Sequence, residues 1–359
     1  MKKLICVTLC VLFACISLVG CSSAIIPTST PSWAEGEVLT YNVRKATSYE
    51  LTTVGVDLDY RQILPSYVTG TYSTKITSAS EDDYLLETVL STTETYTLSD
   101  FGVDTAFFDQ VKTLAESVSD DAVYFDGNNI KVDVTVESTC QFNKTSFLPT
   151  SSSKTIKSAV FLHSSTVNGK TYDAQYEIND IYCSTTYDYS AKTPKVSVNS
   201  NIADETTHKL KKTTTTKTYD NEQLLFLLRS FSLANLKSNL TTAITLFDAL
   251  AETKPLSVSA NVGSNPTFNY MIGGSWSGMQ NNNFTYYQNE TGEYTDKDGN
   301  IVTVTERAVS LISLSTGGVP ILYYFDNLNS DSLTFKNALI RMQYGYIVCD
   351  IDAESLATL

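Results

Sequence analysis

Two histidines, a few acid pairs and seven cysteines are the residues of this 359-residue chain that could do chemistry, and their spacing decides which chemistry. His163 lies in VFLHSST and His208 in TTHKLKK, and neither stands near a G-x-S-x-G or H-E-x-x-H pattern. A Ser-His-Asp hydrolase needs a histidine to move protons, and a zinc site needs a closely spaced set of ligands. The spacing argues against both. The stretch DKDGN, Asp296 to Asn300, has the look of a calcium loop. Such a loop needs glycine at position six and glutamate at twelve; here Gly299 is fourth and Arg307 is twelfth, so the stretch reads as a hairpin turn. Asp82 and Asp83 are adjacent, and neighbours on a strand face opposite sides, so they do not converge as a glycosidase pair must. An acid-carboxylate hydrolase has no pair to name. The reading is a non-enzyme without metal or cofactor.

Cysteine chemistry is more telling at the start of the chain. Lys2 and Lys3 precede an uncharged apolar run, Leu4 to Val19, and Pro27 and Pro31 follow closely. That run is shorter than the ~20 residues needed to span a hydrocarbon core, which is the layout of an export signal over 1–20. Leu18-Val19-Gly20-Cys21 resembles the lipobox of bacterial lipoproteins. The resemblance implies cleavage after Gly20, a diacylglyceryl thioether on Cys21, and stable anchoring on the outer face of a bacterial membrane, since two acyl chains suffice for residence. An ordinary signal peptide whose cysteine falls there by chance is the alternative. Residues 21–33 then form the lipidated cysteine and a tether; SSAIIPTSTPS is polar, proline-containing and semi-stiff, with a reach of at most about 40 Å. Cys140, Cys183 and Cys349 remain in the expected mature chain, leaving either one disulfide and a thiol or three thiols.

Charge narrows the partners. The chain carries 39 acids against 25 Lys and Arg; removing Lys2 and Lys3 leaves 23, so the net charge moves from −14 to −16. Such a chain is repelled by anionic lipid and by nucleic acid. HKLKKTTTTK, His208 to Lys217, is the local exception: an exposed strand face, or a contact with lipid head groups.

The elements that must position these residues are mostly strands. KVDVTVES, Lys131 to Ser138, alternates valines with polar residues, the pattern of an antiparallel strand with one wet face. VYFDGNNIKVDV and YTDKDGNIVTVT read as hairpins around Gly127 and Gly299. FKNALIRMQYGYIVCDI, Phe335 to Ile351, is also strand-like. Two stretches break the alternation. DTAFFDQVKTLAESV has helical spacing, and residues 100–150 are a candidate insertion in the 34–359 domain. YDNEQLLFLLRSFSL starts with Asp220 as a cap and Gln223 placed for a capping box. Five apolar residues then run unbroken, so the helix must be wrapped on most sides, by a curved sheet or between two sheets. Arg229 ends that run: its guanidinium either pairs with an acid or greets an anionic head group at a cavity mouth. GGSWSGMQNNNFTYY, Gly273 to Tyr287, places Trp276 among glycines and asparagines, either as a partner-binding loop or as a cover for the core.

GEVLTYNV (Gly36 to Val43), YDNEQLLFLLRS and STGGVPILYYF (Ser315 to Phe325) together resemble a bacterial envelope family of unknown function related to the half-barrel fold of the lipoprotein carriers LolA and LolB. The resemblance implies a mainly β, α+β domain: a strongly curved antiparallel sheet, a half-barrel, wrapping one or two helices around an apolar cavity. In that fold Leu225, Leu228, Arg229, Phe231 and Trp276 would meet a lipid or another hydrophobic ligand. The competing expectation is an envelope lipoprotein with no cavity, docking a protein partner through the aromatic loop.

Overall fold

Strands form where the alternation runs. The computed structural model describes residues 35–53, 62–97, 100, 109, 112–113, 123–127, 129–162, 165–167, 170–172, 175–210, 218–229, 241–250, 255–262, 270–272, 275–280, 283–286, 293–295, 299, 301–303, 307–315, 321–326 and 338–358. The first arm of the sheet holds β1 (Val38–Lys45), β2 (Tyr67–Ser78), β3 (Asp83–Tyr96), β4 (Val123–Asp126), β5 (Asn129–Asn143) and β6 (Pro149–Leu162). After a small ribbon of β7 (Ser165–Val167) and β8 (Lys170–Tyr172), the arm continues with β9 (Gln175–Asp188), β10 (Lys195–Ser200) and β11 (Thr206–Lys209). The second arm begins with β12 (Thr218–Asp220), β13 (Thr241–Phe247) and β14 (Pro255–Val262). Next come β15 (Tyr270–Ile272), β16 (Ser275–Gln280), β17 (Asn283–Tyr286) and a second ribbon of β18 (Glu293–Thr295) with β19 (Ile301–Thr303). It ends with β20 (Arg307–Ser315), β21 (Ile321–Asp326), β22 (Leu339–Tyr344) and β23 (Ile347–Ile351). The helices α1 (Ser48–Thr53), α2 (Leu224–Arg229) and α3 (Ala353–Thr358) have six residues each.

Both expected hairpins form. Asp126 faces Asn129 across Gly127, and β18 pairs with β19 beside Gly299; the two glycines take φ of 64° and 84°. The run from Phe335 to Ile351, in contrast, holds two strands. Gly345, at φ 56°, turns the chain between β22 and β23. Within 100–150, β4 and β5 belong to the main sheet, β5 pairing with β3 and β6. The helix expected near 104–118 falls almost wholly outside the described residues.

The main pairing path is β11, β10, β9, β6, β5, β3, β2, β1, β23, β22, β21, β20, β14, β13, β12, with β4 added beside β5 and β17, β16 and β15 branching from β20. Among the described strands β11 pairs with β10 alone and β12 with β13 alone, so no ladder closes the sheet. The strongly curved half-barrel expected above is therefore corrected: the fold is mainly β, but the sheet is neither curved nor closed into a barrel. Two physical reasons agree. Sheets curve through bulges and glycine kinks; among the described pairings register shifts occur only at Gln141/Phe142 and Tyr324/Phe325, and β2–β3 and β3–β5 run in unbroken register along their whole pairing. A six-residue helix is also only about 9 Å long, too short to need a sheet wrapped around it.

One face of the first arm carries the core. Leu39, Tyr41 and Val43 of β1, Val68 and Ile76 of β2, Leu86 of β3 and Phe142 of β5 are buried in the same cluster as Phe226, Leu227 and Leu228 of α2. Phe226 lies 4.1 Å from the Phe142 ring and 5.8 Å from that of Tyr84. The second arm joins the cluster through Leu246, Leu322 to Phe325 and Leu339, and the Tyr41 hydroxyl donates to the Leu339 carbonyl at 2.9 Å. At Gly70 the strands come so close that a Cβ would sit 2.2 Å from the Ser91 carbonyl oxygen. Backbone cannot yield that much without breaking the β2–β3 ladder. We expect Gly70→Ala to lower unfolding stability in urea by about 1–3 kcal/mol; an unchanged midpoint would show that the two strands can part there at little cost.

Candidate functional site

The helix expected to line a cavity starts as its sequence suggests. Asp220 sits at the N-cap with extended backbone, and its Oδ1 accepts the Glu222 amide at 2.8 Å. The first turn, Asn221–Gln223, is 3-10 rather than α. Gln223 does not close a capping box. Its Nε2 donates to the Phe147 carbonyl at 2.6 Å and holds the β5–β6 turn, where Phe147 has a left-handed φ of 59°.

The candidate ligand-binding residues do not gather around one described opening. Leu228 is fully buried and Leu225 half-buried, both packed in the main core. Arg229 is 2% exposed, and its guanidinium donates to both Glu37 oxygens, at 2.6 and 3.3 Å. Phe231 and Cys21 lie outside the described residues. Trp276 stands on β16 opposite Met271 of β15, with its side chain outside what is described.

What the pattern did not disclose is a polar hub beneath α2. The same Asp220 carboxylate that caps the helix accepts hydrogen bonds at Oδ2 from Ser152 (2.6 Å), Tyr187 (2.6 Å) and Thr185 (3.2 Å). Those three come from β6 and β9, so one side chain ties the terminal strand β12 to strands near the other end of the sheet path. Burial pushes the Asp220 carboxyl up to about 6, against the opposing effect of these hydroxyls. Beside it Lys154 donates to Glu222 at 2.9 Å, and Glu222 holds the buried ammonium charged. A second buried acid, Glu94, accepts the hydroxyls of Tyr96 (2.6 Å) and Tyr346 (2.8 Å), and burial raises its carboxyl too. The signal that could have found the hub is register: Ser152 and Lys154 point to the same side of β6 and pair with Thr185 and Cys183.

The described partners of these groups belong to the chain itself. Cys140, Cys183 and Cys349 are all free and buried, and burial pushes the thiols up, Cys183 to about 11. A thiol so raised is a poor nucleophile at neutral pH. Among the described residues no group of three or more His, Cys, Asp or Glu could hold a metal ion. His208 lies against Phe247 and Thr206.

Among the described residues the opposite face of the first arm is uncovered. Its rows read straight across the strands: Thr71, Ser91, Thr135, Lys157, then Ser73, Val89, Glu137, Thr155, Tyr182. Val89 is 39% and Tyr182 45% exposed, and at one margin Tyr67 and Tyr124 reach 66% and 40%. Hydroxyls pair along this face, as Thr139 with Ser153 at 2.8 Å. Exposed aromatic rings of this kind suit an interaction surface.

No family model matches the chain, and no curated protein matches it in sequence. Among solved structures it is similar to the crystal structure of a β-barrel-like protein of a domain of unknown function from Brucella abortus, at 12% identity and a TM-score of 0.39, over 88% of this chain and 97% of the other. A likeness at that level carries no argument about function.

Asp220 yields a pH dependence with a definite sign. Burial pushes its folded carboxyl up to about 6, above the ordinary 3.8, so the protonated form favours folding below about 4 and that contribution is lost as the pH rises through 6. Relative to Asp220→Asn, the native protein should lose on the order of 3 kcal/mol of stability between pH 4 and pH 7. Urea titrations across that range give the difference directly; a constant gap would mean the carboxyl is not raised.

Proposed function

We propose that this protein is a non-enzymatic, membrane-anchored extracytoplasmic lipoprotein that works by contact, through the open face of its first sheet arm. The observation that carries this reading is the contrast between its two sides. Phe226, Leu227 and Leu228, three of the five apolar side chains of the helix, have no exposed surface, while the other side of the same strands presents Val89 and Tyr182 to solvent. A hydrophobic ligand seated around α2 would have to displace side chains already in contact with one another. A partner on the open face displaces only water.

Anchoring rests on the lipobox resemblance at Cys21. Among the described residues no helix is long and apolar enough to cross a membrane. The tether sets the domain within about 40 Å of the bilayer surface, so the partner is expected there or in the adjoining envelope layer.

Two measurements test the reading. In bacteria fed an alkyne-bearing palmitate, the native chain should take up label and sediment with membranes, whereas Cys21→Ser should do neither; equal labelling of the two removes the anchor. A photo-reactive phenylalanine analogue at position 89 or 182 should give adducts in intact cells, and the same analogue at exposed Tyr344 should give none. Indistinguishable adducts at all three positions would refute the assignment of this face.

A further inference from the structure

We infer that the contact between the far ends of the two sheet arms is an acid-closed joint: with the Asp220 carboxyl protonated, β12 and β13 stay on β6 and β9, and with it ionised they part locally while the seam at β1 holds. The contact is narrow. Among the described strands no ladder crosses it. Phe247 of β13 is fully buried there against Tyr187 of β9 and Val196 and Val198 of β10. Asp220 of β12, 2% exposed, accepts Ser152, Thr185 and Tyr187 of the first arm at Oδ2 while its Oδ1 caps the helix. Lys154 and Glu222 pair across its rim. The helix α2 is anchored separately, by Phe226 against Phe142.

A buried carboxylate is at ease where a cation neutralises it. The seam meets that condition, because Glu50 and Asp350 face Arg44 and Arg341. Around Asp220 the charges are arranged otherwise. Glu222, in the first turn of the helix, adds a second negative charge. Lys154 of β6 is engaged by Glu222 at 2.9 Å, and Asp248, just past β13, also acts on it. Cys140 of β5, Cys183 and Tyr187 of β9, and Tyr189 just past β9 are neutral, since burial raises all four. His208 of β11 lies against Phe247 and Thr206. The ionised carboxyl therefore meets hydroxyls alone, and water solvates it better. The protonated carboxyl fits the same partners. A hydroxyl offers one donor and two acceptor sites, so Ser152 or Thr185, already bonded to each other, can turn to accept its proton without moving a heavy atom.

The sign follows from linkage. The closed joint binds the proton more tightly than the open one, so opening becomes easier as the pH rises from about 4 through 6 and levels off above that. Parting uncovers Phe247, Val196 and Val198, an apolar surface that mild acid withdraws again. It also uncovers two thiols. Cys140 stands opposite Ser152 and Cys183 opposite Lys154, whereas Cys349 stands opposite Val43 in the seam. All three are free and buried, so the chain carries its own reporters, two beside the joint and one away from it.

The test is the rate at which each thiol of the full-length protein, in detergent micelles, reacts with 4,4′-dithiodipyridine at pH 5 and at pH 8, read by peptide mass spectrometry. Asp220→Asn is the reference, because asparagine caps a helix as well as aspartate does and cannot ionise. Dividing the native rate by the variant rate at each pH cancels the pH dependence of the reagent. For Cys140 and Cys183 that ratio should rise about tenfold from pH 5 to pH 8, and for Cys349 it should stay constant. Glu222→Gln keeps the amide that Asp220 caps but removes the neighbouring charge, so the rise between the two pH values should shrink in it relative to the native chain. This second comparison decides the matter even if Asp220→Asn does not fold. A ratio at Cys140 and Cys183 that ignores pH, or an undiminished rise in Glu222→Gln, would overturn the joint. So would Cys349 rising in step with the other two, since the whole fold would then be loosening rather than one contact.

Discussion

Strand β1 is the seam on which the rest of the structure depends. It pairs with β2 on one side and β23 on the other, so the two arms of the sheet share this one strand. Four charges reinforce the seam. Arg44 donates to Asp350 at 2.9 Å and to both oxygens of Glu50 at 2.8 Å, and Arg341, 1% exposed, reaches Glu50 and stands 3.4 Å from Asp350. Two cations and two anions cancel, which is the condition for burying them at all. Burial alone would raise the Glu50 carboxyl, but the Arg44 hydrogen bonds and the charges of Arg341 and Arg44 hold it at about 2. The contribution of that group to stability is present above about 4.5 and fades only as the pH falls toward 2.

The far ends of the arms meet by other means. Among the described residues there is no ladder between β12 and β6 or β9, and hydroxyls converge on Asp220 instead. Neutral donors stabilise a carboxylate less than guanidinium ions do, and the two acids accordingly shift in opposite directions. The seam is thus electrostatically locked across the physiological range, while the hub responds to mild acid. Both act on how the arms hold together, away from the open face.

That division explains why the chemistry-bearing residues and the open face lie on different sides of the same strands. The inward side spends its polar groups on fixing the arms and the helix: Gln223 on the β5–β6 turn, Arg229 on Glu37, Glu94 on the tyrosines of two strands. The outward side has no such duty. Its register is set by the inward pattern, because a slip of one residue would expose Leu86 and Phe142 and bury Lys131 and Glu137. A rigid, evenly spaced outer lattice follows from a well-specified core.

By itself the sequence determined what is local. Period-two alternation marks β2, β3 and β5, Asp-Gly pairs mark the turns at Gly127 and Gly299, and Asp220 marks a helix start. The resemblance to a lipobox around Cys21, on which the proposed anchor rests, is local as well, being read from contiguous residues. Tertiary structure decided everything that depends on which strand lies beside which. It turned one apolar run into a hairpin at Gly345, left open a sheet that the family resemblance implied would curve, and gave Arg229 a partner 192 positions away at Glu37. It also converted a helix cap into the hub between two arms. The physical reason is that periodicity records which face of a strand is buried, while the identity of the neighbouring strand is written only in long-range packing and register.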